Sequence, residues 1–326
     1  MDIDIQILDW EQVDLDELAL LTWKARLDSP LGEASQTITD FKNYLEGGKG
    51  RWPGTSVITA RRNQKLVGWL GLIHEDPLLY ELWRWHPFLL PGENQDPIAD
   101  ALLHRALQIT RENSAQSLQV CCHLRKDQLR PETERYLRNY QSWYEEAGLQ
   151  LSDEAVYLTC PVGQIKISPP EPIPTPHVLI DHHPRYVSEM YECYLRAFST
   201  GEDRSFLNKT AQQQKSWFFD YLETDLNPGA SKVLLEEERV IGFTLVQTRE
   251  RVGDEHLALI AVTPENQNQG WGRKLISASI QAAALGENEI FSIGVDLSNQ
   301  IAYNLYLSLG FEAQTKLITH IWKNSP

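Results

Sequence analysis

The fold of this chain is decided by residues 257–275, which read LALIAVTPENQNQGWGRKL. A strand-like apolar run leads into a loop that contains Gly270 and Gly272, and an amphipathic helix follows. The first N–H groups of such a helix have no internal partner and lie at the positive end of its dipole. Because glycine lets a backbone approach a phosphate closely, the pattern predicts an anion site, to which Arg273 and Lys274 add positive charge. Taken alone, the same residues also suit a plain tight turn into a helix.

A second pattern lies in residues 296–311, which read DLSNQIAYNLYLSLGF. The first stretch carries V-x-P and Q-x-x-G-x-G before its helix, and the second carries N-x-x-A-x-x-L-Y-x-x-x-G-F. In this order and at this spacing, the two patterns resemble the acyl-CoA-binding signatures of the GNAT superfamily of N-acyltransferases. The resemblance is strong over residues 230–323 and weak before them.

The order of predicted elements agrees with this resemblance. In the second half, antiparallel hairpin strands come first and a strand–helix–strand crossover follows, which is typical of a mixed α/β fold. The resemblance implies a mostly antiparallel central sheet flanked by helices. It also implies an enzyme that uses acetyl-CoA as cosubstrate.

The resemblance further implies where the cosubstrate binds. Backbone groups of Ile260 and Val262 would pair with its pantetheine arm, and Asn299 would contact the same arm. Backbone N–H groups of the loop and of the following helix turn would hold its pyrophosphate. The residues implied for the cofactor are Ile260, Ala261, Val262, Gln267, Asn268, Gln269, Gly270, Trp271, Gly272, Arg273, Lys274, Asn299 and Tyr303.

Acyl transfer to an amine needs a base for the amine proton and an acid for the leaving thiolate. The resemblance implies that Tyr306 is the acid, because a phenol of pKa about 10 can protonate a thiolate; a packed helix aromatic is the alternative. His256 is the candidate base, since the period of two in a regular strand puts it on the side of Ile260 and Val262. It stands where related enzymes carry a carboxylate, and an exposed strand-end histidine fits equally well. Glu255, on the other face of a regular strand, is the second candidate, and loss of the proton to water is a further alternative.

The two halves of the chain resemble each other. Segments 65–70 and 239–244 each follow a polar turn and carry a glycine at the same place. Segments 143–149 and 305–311 each place a tyrosine four residues before a glycine. Two such parallels in the same order predict a duplication, and hence a tandem GNAT architecture.

Six prolines between residues 161 and 176 predict a semi-rigid linker. Domains are therefore expected at residues 1–160 and 177–326. The first half lacks the glycine loop, because Gly92 stands alone and the acidic Glu93 and Asp96 would repel a pyrophosphate. The first domain is thus predicted to be degenerate, and the second to bind acyl-CoA.

Composition limits the partners. The formal net charge of −15 argues against nucleic acid and favours an amine. The start of the sequence lacks a signal-peptide pattern, and no apolar run is long enough to cross a membrane, so a cytoplasmic protein is expected. No metal site is expected, because none of the four cysteines has zinc-like spacing. A monomer or homodimer is expected.

The sequence therefore predicts an N-acetyltransferase that transfers acetyl from acetyl-CoA to a primary amine of a small molecule or to a peptide amino terminus. Two alternatives stay open. The same fold could use another acyl group or hydrolyse the thioester, or the chain could be a non-catalytic acyl-CoA-binding sensor or scaffold.

Overall fold

The computed structural model describes residues 3–27, 29–31, 36–49, 54–83, 86–166, 172–201, 203–249, 253–284 and 289–324. The chain forms two compact units. The first consists of residues 1–152 together with residues 317–326, and the second of residues 153–316. The terminal segment contributes Ile318 to the core of the first unit, which explains its assignment there.

These limits differ from the predicted sequence segments at both ends of the second half. Residues 153–161 belong to the second unit, because they pair with one of its strands (Ala155↔Asp296 to Pro161↔Ile290). Residues 167–171 of the predicted linker lie outside the described residues.

The first unit contains six complete strands and four helices within its described residues. They are β1 (Asp4–Asp9), α1 (Leu15–Leu27), α2 (Ile38–Lys49), β2 (Thr55–Arg62), β3 (Lys65–Ile73), β4 (Leu79–Leu82), β5 (Phe88–Leu89), α3 (Asp96–Glu112), β6 (Ser117–Arg125) and α4 (Pro131–Glu146). The strand β7 (Gln150–Pro161) begins in this unit and continues into the second.

The described part of the second unit repeats this order with one additional short helix and without a counterpart of β5. Its elements are β8 (His177–Asp181), α5 (Val187–Ser199), α6 (Arg204–Leu207), α7 (Ala211–Glu223), β9 (Lys232–Glu236), β10 (Arg239–Arg249), β11 (Asp254–Val262), α8 (Trp271–Ala283), β12 (Ile290–Asp296) and α9 (Gln300–Ser308). The strand β13 (Glu312–Lys323) begins in this unit and ends in the first. The shared order confirms the predicted duplication.

The sheets of the two units are built alike. In the first unit β1, β2, β3 and β4 pair antiparallel, and β4 pairs parallel with β6. In the second unit β8, β9, β10 and β11 pair antiparallel, and β11 pairs parallel with β12. The mixed α/β fold with a mostly antiparallel sheet is confirmed.

The glycine shared by the two hairpins has a packing reason. A Cβ on Gly68 would lie 2.9 Å from Ile98, and one on Gly242 would lie 3.1 Å from Leu275. Each glycine therefore lets the helix that follows the glycine turn, α3 or α8, lie close against the sheet.

Within the described residues, none of the helices combines the length and apolar composition that a membrane crossing requires. The same residues contain no group of three or more histidine, cysteine or acidic side chains arranged to hold a metal ion.

Candidate active site

A wedge-shaped gap opens between β11 and β12 in the second unit. The two strands pair only from Asp254↔Ile290 to Leu257↔Ile293. Beyond this point β12 continues to Asp296, paired on its other side with β7. The separation coincides with a β-bulge, because Leu245 pairs with Leu259 while Val246 pairs with Leu257, which leaves Ala258 as an extra residue.

The backbone of β11 faces the gap at Ile260 and Val262. Thr263 N–H donates to Ile241 O on β10 (2.8 Å), so by the alternation of a strand Ala261 also points its polar groups to β10. The polar groups of Ile260 and Val262 therefore point to the opposite edge, and Val262 O accepts from the Gln267 side chain there (3.0 Å). This edge is suited to pairing with an extended ligand.

The turn after β11 leaves N–H groups free at the start of α8. Gly270 has a φ of +83°, a left-handed conformation that favours glycine, and no side chain caps the helix. Lys274 N–H donates to Gly270 O (3.1 Å), whereas the N–H groups of residues 268–273 have no acceptor within the described part of the chain. A Cβ on Gly270 would meet no atom of the described residues within 4 Å. The turn thus presents donors and open space to an anion.

The polar side chains of the turn are partly used to fix it. Gln269 Nε2 donates to Glu265 O (3.1 Å), and Asn268 adopts a positive φ of 59°. Trp271 is buried and packs against Leu275, so its backbone rather than its ring faces the turn. The two positively charged side chains predicted beside the loop make different contacts. Arg273 donates to Ser308 Oγ (2.6 Å), and Lys274 Nζ lies 5.3 Å from the Trp271 ring centroid.

Helix α9 carries the second signature. Asn299 caps its start, with Oδ1 accepting from Ala302 N–H (3.1 Å). Tyr303 is partly buried against the core. Tyr306 is 3% exposed, and its hydroxyl makes no hydrogen bond to the described residues. Burial, followed by the negative charge of Asp203, raises the pKa of the Tyr306 phenol, so the hydroxyl keeps its proton at neutral pH.

His256 does not lie on the side of Ile260 and Val262, as a regular strand predicts, because β11 bulges at Ala258. Leu257 packs with Ile276 in the core beneath α8, whereas Leu259 packs with Phe218 of α7. The extra residue therefore shifts the alternation by one. His256, next to Leu257, lies on the α7 side, opposite to Ile260 and Val262.

His256 belongs to a buried polar cluster with Asp254, Ser292 and Tyr157. Its Nδ1 lies 2.9 Å from Ser292 Oγ, and Ser292 donates its single proton to Asp254. His256 Nδ1–H is therefore the donor to Ser292, and Nε2 is left as the acceptor nitrogen. Tyr157 also donates to Asp254 (2.6 Å) and stacks on His256, with ring centroids 5.7 Å apart. Burial, with the charge of Arg249, lowers the pKa of His256 to about 3.

Glu255 is committed to structural hydrogen bonds. It is 3% exposed and accepts from Thr248 Oγ1 (3.0 Å) and from Asn227 Nδ2 (3.3 Å). Asn227 in turn holds the turn before β9 through Ala230 N–H (3.1 Å). These contacts fix the loop between α7 and β9.

Sequence reasoning did not single out Asp203, which the fold brings to the site. It lies between α5 and α6, 93 residues before Asp296. Arg204 N–H and Ser205 N–H donate to Asp296 Oδ2 at 3.1 and 3.2 Å, which holds this loop at the end of β12. Nothing in the local sequence pattern predicts this contact.

Comparisons with known proteins agree with the geometry. Residues 229–313 match the model of the acetyltransferase (GNAT) domain. Among curated proteins, no sequence matches the chain. The resemblance inferred from the two sequence patterns is thus supported by an independent family model, and this domain indicates an acyltransferase.

Three solved structures show the same fold over nearly the whole chain. A GCN5-related N-acetyltransferase from Sphaerobacter thermophilus is 14% identical with a TM-score of 0.61, and the match covers 99% of this chain and 96% of that one. A tandem GNAT protein from the clavulanic acid biosynthesis pathway is 15% identical with a TM-score of 0.51, covering 100% and 99%. A glucosamine N-acetyltransferase region of a fungal multi-domain β-N-acetylglucosaminidase is 15% identical with a TM-score of 0.56, covering 98% of this chain and 38% of that one. The tandem GNAT fold is confirmed.

Proposed function

We propose that this chain, whose second unit carries the GNAT domain, is an N-acetyltransferase that transfers acetyl from acetyl-CoA to a primary amine of a small molecule or to a peptide amino terminus. The observation that carries the proposal is the set of unpaired N–H groups of residues 268–273, next to the open edge of β11. A thioester linked to a pyrophosphate is a ligand that needs both features.

The residues of the turn fit the cosubstrate. Unpaired N–H groups at a helix N-terminus suit a pyrophosphate, and Gly270 leaves the space that it needs. Ile260 and Val262 offer backbone groups for the pantetheine amides, and Asn299 and Tyr303 lie on the helix beside the gap. When bound, the cosubstrate supplies an activated acyl group.

The residues of this chain would assist the transfer in three ways. Val262 N–H would stabilise the oxygen that gains negative charge as the amine attacks. The Tyr306 hydroxyl, which stays protonated, would donate a proton to the leaving sulfur. A base would remove the amine proton.

The two predicted bases differ in how well they suit that role. His256 presents Nε2 as an acceptor, but with a pKa near 3 it holds a proton weakly and favours a role in orienting the neutral amine. Glu255 would need to leave its contacts with Asn227 and Thr248. We retain both as proposed site residues, with His256 ahead of Glu255.

The test is turnover of acetyl-CoA with a panel of primary amines, read as free thiol and as product mass. Transfer predicts thiol release that depends on the amine, together with a product heavier by one acetyl group. Thiol release without an acetylated amine would indicate thioester hydrolysis. Binding of acetyl-CoA without any thiol release would indicate a sensor and contradict the proposal.

A further inference from the structure

Asp203 is a carboxylate with one oxygen anchored and the other unused. It caps α6, with Oδ1 accepting from Phe206 N–H (3.0 Å) and Ser205 Oγ (2.5 Å). Within the described residues, Oδ2 has no hydrogen-bond partner and the carboxylate has no ion pair. The bonds to Ser205 and Phe206 offset only part of the cost of desolvating this carboxylate, because no cation lies against it in the described residues.

The loop that carries Asp203 is fixed beside the gap between β11 and β12. Asp296, the last residue of β12, accepts from the N–H groups of Arg204 and Ser205 through Oδ2. Its Oδ1 accepts from Ser298 N–H (2.8 Å), just before the cap of α9. Asp203 is therefore held at the end of β12, where the two strands have separated.

The negative charge of Asp203 acts on three tyrosines, each from a different helix. Burial is the main cause that raises the pKa of Tyr306 on α9, Tyr194 on α5 and Tyr221 on α7, the last to about 12. The negative charge of Asp203 contributes to each of these shifts. Tyr194 is also linked to Asp203 by packing, because its ring centroid lies 5.2 Å from that of Phe206, whose N–H donates to Asp203.

The Tyr194 hydroxyl is a second polar group of this region without a partner in the described residues. Tyr194 is 1% exposed, and its hydroxyl is buried without a hydrogen-bond partner in the described residues. Buried hydroxyl groups in folded proteins are nearly always paired with protein, water or ligand. A polar ligand beside Asp203 would supply the missing partner.

We propose that Asp203 binds the ammonium group of the acceptor and takes its proton, so that the acceptor is an amine that arrives as a cation. This inference rests on the proposed acetyl transfer. The Asp203 carboxylate gains one proton and the amine nitrogen becomes neutral. Its lone pair forms the new N–C bond to the thioester carbonyl carbon, the C–S bond breaks, and the thiolate takes the proton of Tyr306. The second proton of the nitrogen leaves to water as the amide forms.

The surroundings of Asp203 suit this exchange. Burial, with a smaller contribution from the charge of Asp296 on β12, raises its pKa above the usual range, against the lowering effect of its bonds to Ser205 and Phe206. A raised carboxylate pKa brings it closer to that of the amine, which makes proton transfer easier. Asp203 also differs from His256, whose Nδ1 is engaged by Ser292 and whose pKa lies near 3.

The experiment compares the full-length chain with its Asp203→Asn variant on two amines of different basicity, 2-phenylethylamine and glycinamide. Asparagine caps a helix as well as aspartate, so α6 keeps its start while the charge disappears. We expect kcat/KM for the amine to fall by about 100-fold or more, with acetyl-CoA affinity unchanged. Asp220→Asn, which removes the same charge from an exposed position on α7, is the matched control and should leave kcat/KM unchanged.

The pH profile provides a readout that a structural role would not move. In the wild type, kcat/KM should fall toward low pH, and this acid limb should have the same midpoint for both amines, because it reports protonation of the Asp203 carboxylate. In Asp203→Asn the limb should move to the pKa of each free amine. Asp203→Ser, which also keeps the cap, repeats the test if the asparagine variant does not fold.

The outcomes separate the two proposals. A wild-type protein that acetylates amines, with an Asp203→Asn variant that keeps its kcat/KM and its acid limb, would overturn the role of Asp203 alone. A wild-type protein that acetylates none of the amines would overturn the proposed function, and the role of Asp203 with it. A limb that moves only in Asp203→Asn, while Asp220→Asn behaves as wild type, supports both.

Discussion

The two units share an order of elements but differ at the turn between sheet and helix. In the second unit, β11 continues past its bulge at Ala258 to Val262, and the turn leaves N–H groups unpaired at the start of α8. In the first unit β4 ends at Leu82, and the two-residue strand β5 pairs with β3 before the turn that contains Gly92. The two units thus share a sheet order but differ in the strand that leads into this turn.

The turn of the first unit carries acidic side chains that have partners within the unit. Glu93 in the turn accepts from Arg62 (2.6 Å), so an internal carboxylate meets the nearby positive charge. Helix α3 begins with Asp96 and Pro97, which places a negative charge and one fewer N–H at its start. Asp96 is held by Trp143 Nε1 (2.9 Å).

The matching tyrosines show the same contrast. Tyr144 is buried and donates its hydroxyl to His86 O (2.7 Å), whereas the Tyr306 hydroxyl makes no hydrogen bond to the described residues. One phenol completes the core of its unit, and the other keeps its proton available. The matching tyrosines thus differ in whether the hydroxyl is already bonded within its own unit.

Gly270→Glu is expected to have the largest effect, which is on acetyl-CoA affinity. Gly92→Glu is the matching change in the first unit. Both glycines have a φ of +83°, and a Cβ on either would meet no described atom within 4 Å, so both changes introduce similar backbone strain. Gly270→Glu should weaken acetyl-CoA binding by about 1,000-fold or more, because it fills and charges the anion site. Gly92→Glu should leave binding unchanged. Titration calorimetry measures both, and equal affinities in the two variants would remove the distinction between the turns.

The next largest effect is expected when the matching tyrosines, Tyr306 and Tyr144, are replaced by phenylalanine. Tyr306→Phe should lower kcat by about 100-fold when chemistry is rate-limiting, since the proton donor is lost and the ring stays. Tyr144→Phe should leave kcat unchanged but reduce the free energy of unfolding by about 1–3 kcal/mol, because His86 O loses its partner. Single-turnover kinetics and urea unfolding distinguish the two roles. A stability loss without a rate loss in Tyr306→Phe would assign that tyrosine to packing.

The buried histidines are expected to have a smaller effect, which is on the pH dependence of stability. His256 has a pKa of about 3 in the folded chain and near 6.5 when unfolded, and His86 in the first unit is also shifted well downward, mainly by burial. Between these pH values the unfolded state binds protons that the folded state does not, so stability should rise with pH and be complete above about pH 6.5.

His256→Gln should flatten this dependence, and the slope from His86 should remain. Thermal unfolding measured from about pH 4 to about pH 8 tests the expectation. An unchanged slope in His256→Gln would mean that this imidazole is not buried as a neutral group.

The smallest effect is expected from Glu93→Gln in the first unit. Loss of the partly exposed ion pair with Arg62 should reduce the free energy of unfolding by about 1 kcal/mol or less. Acetyl-CoA should still bind once per chain, because Asp96 and Pro97 remain at the start of α3. A second equivalent of bound acetyl-CoA in calorimetry would show that one acidic side chain alone separates the two units.

The sequence by itself determined the duplication, the fold class and the turn from β11 into α8. These features depend on residues close together in the chain. The period of the apolar residues, the glycines near Gly270 and the aromatic–glycine ending of α9 each encode a local structure, and local structure is largely set by local chemistry.

Only the tertiary structure decided which side chains meet around the gap. The bulge at Ala258 moved His256 to the α7 side, and a single extra residue of this kind is not visible in an alternating apolar run. Buried Glu255 accepts a hydrogen bond from Asn227. The bond from Arg204 N–H to Asp296 holds Asp203 at the end of β12, although the two aspartates are 93 residues apart in the chain. Such contacts depend on how distant elements pack, and the pKa values that decide acid–base roles depend on that packing.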